Sequence, residues 1–241
     1  MNTPADQNRR RFIQTALVTG TGVLIAGCSS SSAPSAAPGP AAAAPQGEDV
    51  SPVEDLMREH GVLQRVLLAY EECARRIETK QDLPPEPLAD AARLVHTFIE
   101  DYHEKLEEEH LFPRYRAAGK LGDLIDVLLV QHAAGRRTTA RIEILANLRG
   151  IRDGADSREL VVRLREFIRM YRPHASREDT ILLPMLHQIV TPEEYDKLGD
   201  QFEAIERAQL GEEGFERAVV QIAEIEARLG IADLAQFTPA T

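Results

Sequence analysis

Two stretches, HEKLEEEHLFP from His103 to Pro113 and HASREDTILLP from His174 to Pro184, each carry a His, a Glu four residues later and a Pro ten after the His. On an α-helix, residues four apart share a face. His103 with Glu107, and His174 with Glu178, therefore each present an imidazole and a carboxylate together. Imidazole suits iron, copper and zinc; carboxylates suit harder ions and can bridge two of them. Each pair also has a His upstream, His60 before the first and His132 before the second. The offsets agree: 72 residues for His60 to His132, and 71 for His103 to His174, Glu107 to Glu178 and Pro113 to Pro184. FIEDYH at Phe98–His103 echoes FIRMYRPH at Phe167–His174, with Pro173 placed to distort its helix locally.

These six side chains must be brought together by helices. From Ser51 to Gln188 the apolar residues recur at three- and four-residue steps, as in Val53, Leu56, Met57, His60, Leu63 and Leu67, and again in Leu124, Ile125, Leu128, His132, Ile142 and Leu145. Such spacing belongs to amphipathic helices. SPVED at Ser51 supplies an N-cap, a first-turn Pro and early acids. DLPPEPL, AAGKLGD and RGIRDGADS break the pattern, giving helices over 52–79, 86–116, 120–148 and 157–188. Short links favour antiparallel neighbours, hence an all-α, up-down-up-down four-helix bundle. One or two extra C-terminal helices follow, after TPEE at Thr191 and from about Glu212 to Leu229. In such a bundle all six residues point inward at similar depth, with a His from each helix and a Glu from two. Four imidazoles, two bridging carboxylates and one shared oxo or hydroxo group give each of two cations about five bonds. An octahedral ion keeps an open position for a small molecule. Two carboxylates left in a dry core would be unfavourable by several kcal/mol, and two cations remove that penalty.

The remaining polar residues near the repeats read as bystanders. Glu108, Glu109 and Asp179 are expected to be exposed acids. His110, whose counterpart is Ile181, is expected to pack. His96 and His187 lack counterparts and read as surface or structural. Tyr102 and Tyr171 are placed either to donate outer hydrogen bonds or to fill the core, and Cys73 reads as a plain buried thiol.

The segments outside the bundle carry an address. NRRRFIQ at Asn8–Gln14, a short apolar run and LIAGC ending at Cys28 resemble a twin-arginine lipoprotein signal. That resemblance implies removal of residues 1–27, lipidation of Cys28 and an exported, periplasmic-side protein anchored to a membrane, inner or outer. Twin-arginine export moves folded proteins, often with metal inside. Residues 28–50 are Ser, Ala, Pro and Gly and read as a flexible tether. The bundle then spans 51–190 and a helical extension 191–241. Across 241 residues the formal charge is −11, which argues against a nucleic-acid partner. Two cysteines exclude a disulfide framework.

The paired motifs and their upstream histidines resemble the hemerythrin (HHE cation-binding) family over about Ser51 to Ile189. The resemblance implies a non-haem di-iron centre, two iron ions with a bridging oxo or hydroxo group. Its terminal ligands fall on His60, His103, His132 and His174, and its bridging carboxylates on Glu107 and Glu178. It departs at one position: hemerythrins proper carry a fifth His one turn after the third-helix His, where this chain has Arg136. The implied function is O2 binding for storage, delivery or sensing. The alternatives are a di-iron oxidoreductase acting on peroxide, NO or O2, and an iron- or stress-handling protein. No catalytic acid or base stands out, and no motif names a redox partner.

Overall fold

The computed structural model describes residues 50–152 and 154–239. Arg9, Arg10 and Cys28 of the expected export signal, and almost all of the expected tether, lie outside the described residues. Those that are described form helices and turns, without strands.

Helix α1 spans Pro52–Glu78, and the Ser51 side chain accepts from the Glu54 N–H at 3.2 Å as its N-cap. Such a cap satisfies one of the four N–H groups a helix start leaves over. The prolines of DLPPEPL end the connection, and α2 then runs over 85–117. Lys120 and Leu121 follow, Leu121 with a left-handed φ of 52°, before α3 at Gly122–Leu145. A short helix α4, Leu148–Arg152, sits inside a link that reads as a plain break in the sequence; Asn147 starts it by accepting from the Gly150 N–H at 3.0 Å. Helix α5 covers 156–185, and the segment stays α-helical through Pro173 rather than breaking there.

The long helices form a ring of contacts: α1 on α2, α2 on α3, α3 on α5, and α5 back on α1. Between them lies a core of Leu56, Leu63, Leu67, Tyr70, Phe98, Leu128 and Phe167, all buried. Each such side chain contributes about 1.5–3 kcal/mol by leaving water. Two further helices flank the ring. Helix α6, Pro192–Leu210, opens on a capping box between Thr191 and Glu194. Helix α7, Gly214–Leu229, packs on α1 and α2. Arg65 grips Glu226 of α7 with two hydrogen bonds of 2.9 and 2.5 Å, and Arg58 lies 4.2 Å over the Phe215 ring. His110 fulfils its packing expectation, its ring 6.1 Å from that of Phe202 on α6.

The backbone departs from the α-helix where the sequence pattern repeats. In α2, Val95–His103 and Glu107–Leu111 are π-helical; in α5, Glu178–Leu182 is π-helical. Glu107 and Glu178 thus open π turns at equivalent positions, and each turn ends two residues before Pro113 or Pro184. A proline has no N–H to offer the preceding turn, and its ring crowds the carbonyl four residues back. Widening that turn to an i→i+5 bond relieves the crowding. The Tyr115 hydroxyl donates to Leu182 O, at the end of the second π turn, at 2.5 Å. The repeated proline of the opening motifs is therefore a backbone device rather than the apolar helix-end contact its neighbours suggest; Pro113 and Pro184 are exposed.

Candidate metal centre

All six residues singled out by the repeat are buried: His60, His103, Glu107, His132, His174 and Glu178 are each no more than 3% exposed. They meet as two pairs of imidazoles. His60 Nε2 and His103 Nε2 are 3.0 Å apart, and His132 Nε2 and His174 Nε2 are 3.2 Å apart. The two carboxylates lie across both pairs. Glu178 points Oε2 at His60 Nε2 (3.3 Å) and Oε1 at His174 Nε2 (3.1 Å). Glu107 Oε2 is 3.5 Å from His132 Nε2 and 3.9 Å from His103 Nε2. Donors about 2.1 Å from one first-row cation stand about 3.0 Å apart at a right angle and about 3.4 Å at the tetrahedral angle. The observed separations run from 3.0 to 3.9 Å, four of them within that interval.

The ring orientations are fixed from behind. Each Nδ1 meets an acceptor: His60 with Asp179 (2.7 Å), His103 with Glu59 (2.8 Å), His132 with Glu108 (3.1 Å) and His174 with Gln131 (2.8 Å). An Nδ1–H donated outward leaves the Nε2 lone pair facing the centre, the arrangement typical of metal-binding histidines. Glu59 also accepts from the Tyr102 hydroxyl at 3.0 Å.

This corrects the expectation for two residues. Asp179 and Glu108 are not bystander acids but the acceptors behind His60 and His132; Glu109 alone of the three is exposed. Glu59 and Gln131 went unnoticed in the sequence. The signal was present: Glu108 to Asp179 is 71 residues and Glu59 to Gln131 is 72, the offsets of Glu107 to Glu178 and His60 to His132, their neighbours in the chain. Tyr102 donates into this outer layer. Tyr171 donates instead to Glu104, at 2.6 Å. His96 is half exposed and paired with Glu143, His187 stacks on Tyr195, and Cys73 is buried, its thiol pushed up to about 12 by desolvation.

Electrostatics make the cluster a cation trap. Burial pushes Glu107 well above the ordinary carboxylate range, reinforced by the charge of Glu178. Glu178 is held well below that range despite its burial, by His174 and His60. Burial opposes a charge on His60, but Asp179 and Glu178 outweigh it and raise the ring to about 10, whereas burial and the His60 charge press His103 down to about 3. Two Nε2 atoms 3.0 Å apart need a proton or a cation between their lone pairs. All four oxygens of Glu107 and Glu178 are buried without a hydrogen-bond donor. Orphaned carboxylate oxygens in a dry core are strongly disfavoured, and divalent cations are the partners this donor set fits. The donors fall into two neighbouring groups, Glu107–His132–His174–Glu178 and His60–His103–Glu107, the second completed by Glu178.

A family model, the hemerythrin HHE cation-binding domain, matches residues 51–186. The chain belongs to the hemerythrin HHE family. Uncharacterised proteins of Mycobacterium tuberculosis and Mycobacterium bovis are each 38% identical over 237 residues, which is 98% of this chain and 92% of theirs. No solved structure matches it at a significant level. HHE membership accounts for cation binding by buried His and Glu clusters. The position of the fifth hemerythrin His carries Arg136, whose guanidinium lies 2.7 Å from both Glu104 and Glu108.

Proposed function

We propose that this chain holds a di-iron centre and binds O2, for storage, delivery or sensing, on the exported side of a membrane to which Cys28 anchors it. The ligands in this reading are His60, His103, His132 and His174, with Glu107 and Glu178 bridging. The bundle that carries them runs up-down-up-down, as the short links between its helices favour. The observation that carries the reading is the sharing of two buried carboxylates between two imidazole pairs. Iron, when bound, supplies reversible electron transfer to a small oxidant. The chain does the rest: Asp179, Glu59, Glu108 and Gln131 orient the rings, and the apolar core excludes bulk water. Metal loading before twin-arginine export fits a folded bundle with a buried site.

The test is optical. Protein purified with iron should give a spectrum in air that reverts on degassing, over repeated cycles. Arg136 favours a second reading. With the fifth imidazole replaced, one more position is open, which suits oxidoreductase chemistry on peroxide, NO or O2. Rapid, irreversible oxidation with turnover of peroxide or NO would select that reading over O2 binding.

A further inference from the structure

The duplication that pairs the two halves breaks at one supporting position. Behind His103 stands Glu59, buried, its carboxylate accepting from His103 Nδ1 at 2.8 Å and from Tyr102 at 3.0 Å. At the equivalent place behind His174 stands Gln131, a neutral amide, 2.8 Å from Nδ1. The other two supports are both acids, yet they differ too. Glu108, behind His132, is shared with Lys105 at 2.6 Å and Arg136 at 2.7 Å, so two cations draw on its charge. Asp179 meets His60 at 2.7 Å. A carboxylate accepting from Nδ1–H pushes electron density toward Nε2 and strengthens it as a donor; a carboxamide does so less. Both imidazoles of the His60–His103 pair have this push. The His132–His174 pair has one neutral support and one screened one.

We infer that the two cation positions are unequal: the one held by His60 and His103 fills first and empties last, and Glu59 is the positioning residue that ranks them. The ranking rests on the two-cation reading above. Inner donors do not produce it: the His132–His174 position gathers four close donors and the His60–His103 position three, with Glu107 nearer His132 (3.5 Å) than His103 (3.9 Å), so the ranking must come from the supports behind the rings.

Competition for Co(II) tests it. The full-length chain loaded with Co(II) is titrated with a chelator, and occupancy is followed by the visible spectrum. Two steps separated by at least about tenfold are expected, because removing such a support changes affinity by about 10–100-fold. Crystals taken between the steps should keep anomalous signal at His60–His103. Glu59→Gln should weaken the late step toward the early one, and Gln131→Glu should strengthen the early step. The swapped double variant, Glu59→Gln with Gln131→Glu, keeps the composition and should retain its last ion at His132–His174. A purely structural role for Glu59 predicts neither the gain nor the inversion. Two equal steps, or a last ion at His132–His174 in the natural chain, would overturn the ranking and leave the two-cation reading standing. One Co(II) or none per chain would overturn both.

Discussion

At His60 a proton and a cation compete for the same lone pair. Asp179 and Glu178 raise the ring to about 10 against the opposing effect of burial, and Glu107 is pushed well above the ordinary carboxylate range by burial and by Glu178. The folded-state value of His60 lies above its ordinary 6.5. Without a cation, its stabilising charge is therefore fully present below that value and lost as pH rises toward about 10. A cation must displace these protons, so apparent affinity should rise with pH through the neutral range, by up to about tenfold per unit for each proton released. Calorimetry in buffers of different ionisation heat should show one to two protons released per chain loaded; zero release would contradict the placement of those protons. The six central residues were legible because their spacing repeats. Their supports were less so: an acid beside these residues on a helix is read as solvated unless the partner, 24 to 119 residues away, is known to face it.

At the scale of the helix, the close approach of α3 and α5 depends on one glycine. A Cβ on Gly135 would stand 2.0 Å from the Tyr171 hydroxyl, which donates to Glu104 one residue after His103. Gly135→Ala should destabilise the fold by about 1–3 kcal/mol, the range for overpacking a dense core, and lower the melting temperature. Adding Tyr171→Phe removes the clashing oxygen and should recover part of that loss; an additive double variant would contradict the contact. Helix bounds were legible to within a few residues, since prolines, glycines and N-cap residues mark them. The short helix α4 was not, because RGIRDGADS carries breakers that a single turn tolerates. The π turns were hidden for another reason: apolar periodicity counts residues per turn only over several turns, and one widened turn leaves the pattern almost unchanged.

At the scale of the described fold, a bundle built around a core of leucines and aromatic rings holds four buried imidazoles and two buried carboxylates at its centre. Within the described residues no helix is long and apolar enough to cross a membrane. The flanking helices α6 and α7 were expected, after TPEE at Thr191 and from about Glu212 to Leu229. Their contacts with α1 were not, because Arg65 and Glu226 stand 161 residues apart and nothing local links them. Since the polar centre buries the Glu107 and Glu178 carboxylates among imidazoles, bound cations should stabilise the entire fold. The most direct measurement is metal content and thermal stability of the natural chain beside the Glu107→Gln, Glu178→Gln double variant. Two iron ions per natural chain are expected, with a melting temperature that falls on chelation, and loss of both iron and the chelator effect in the variant. Unchanged iron content in the variant would contradict the shared-carboxylate centre.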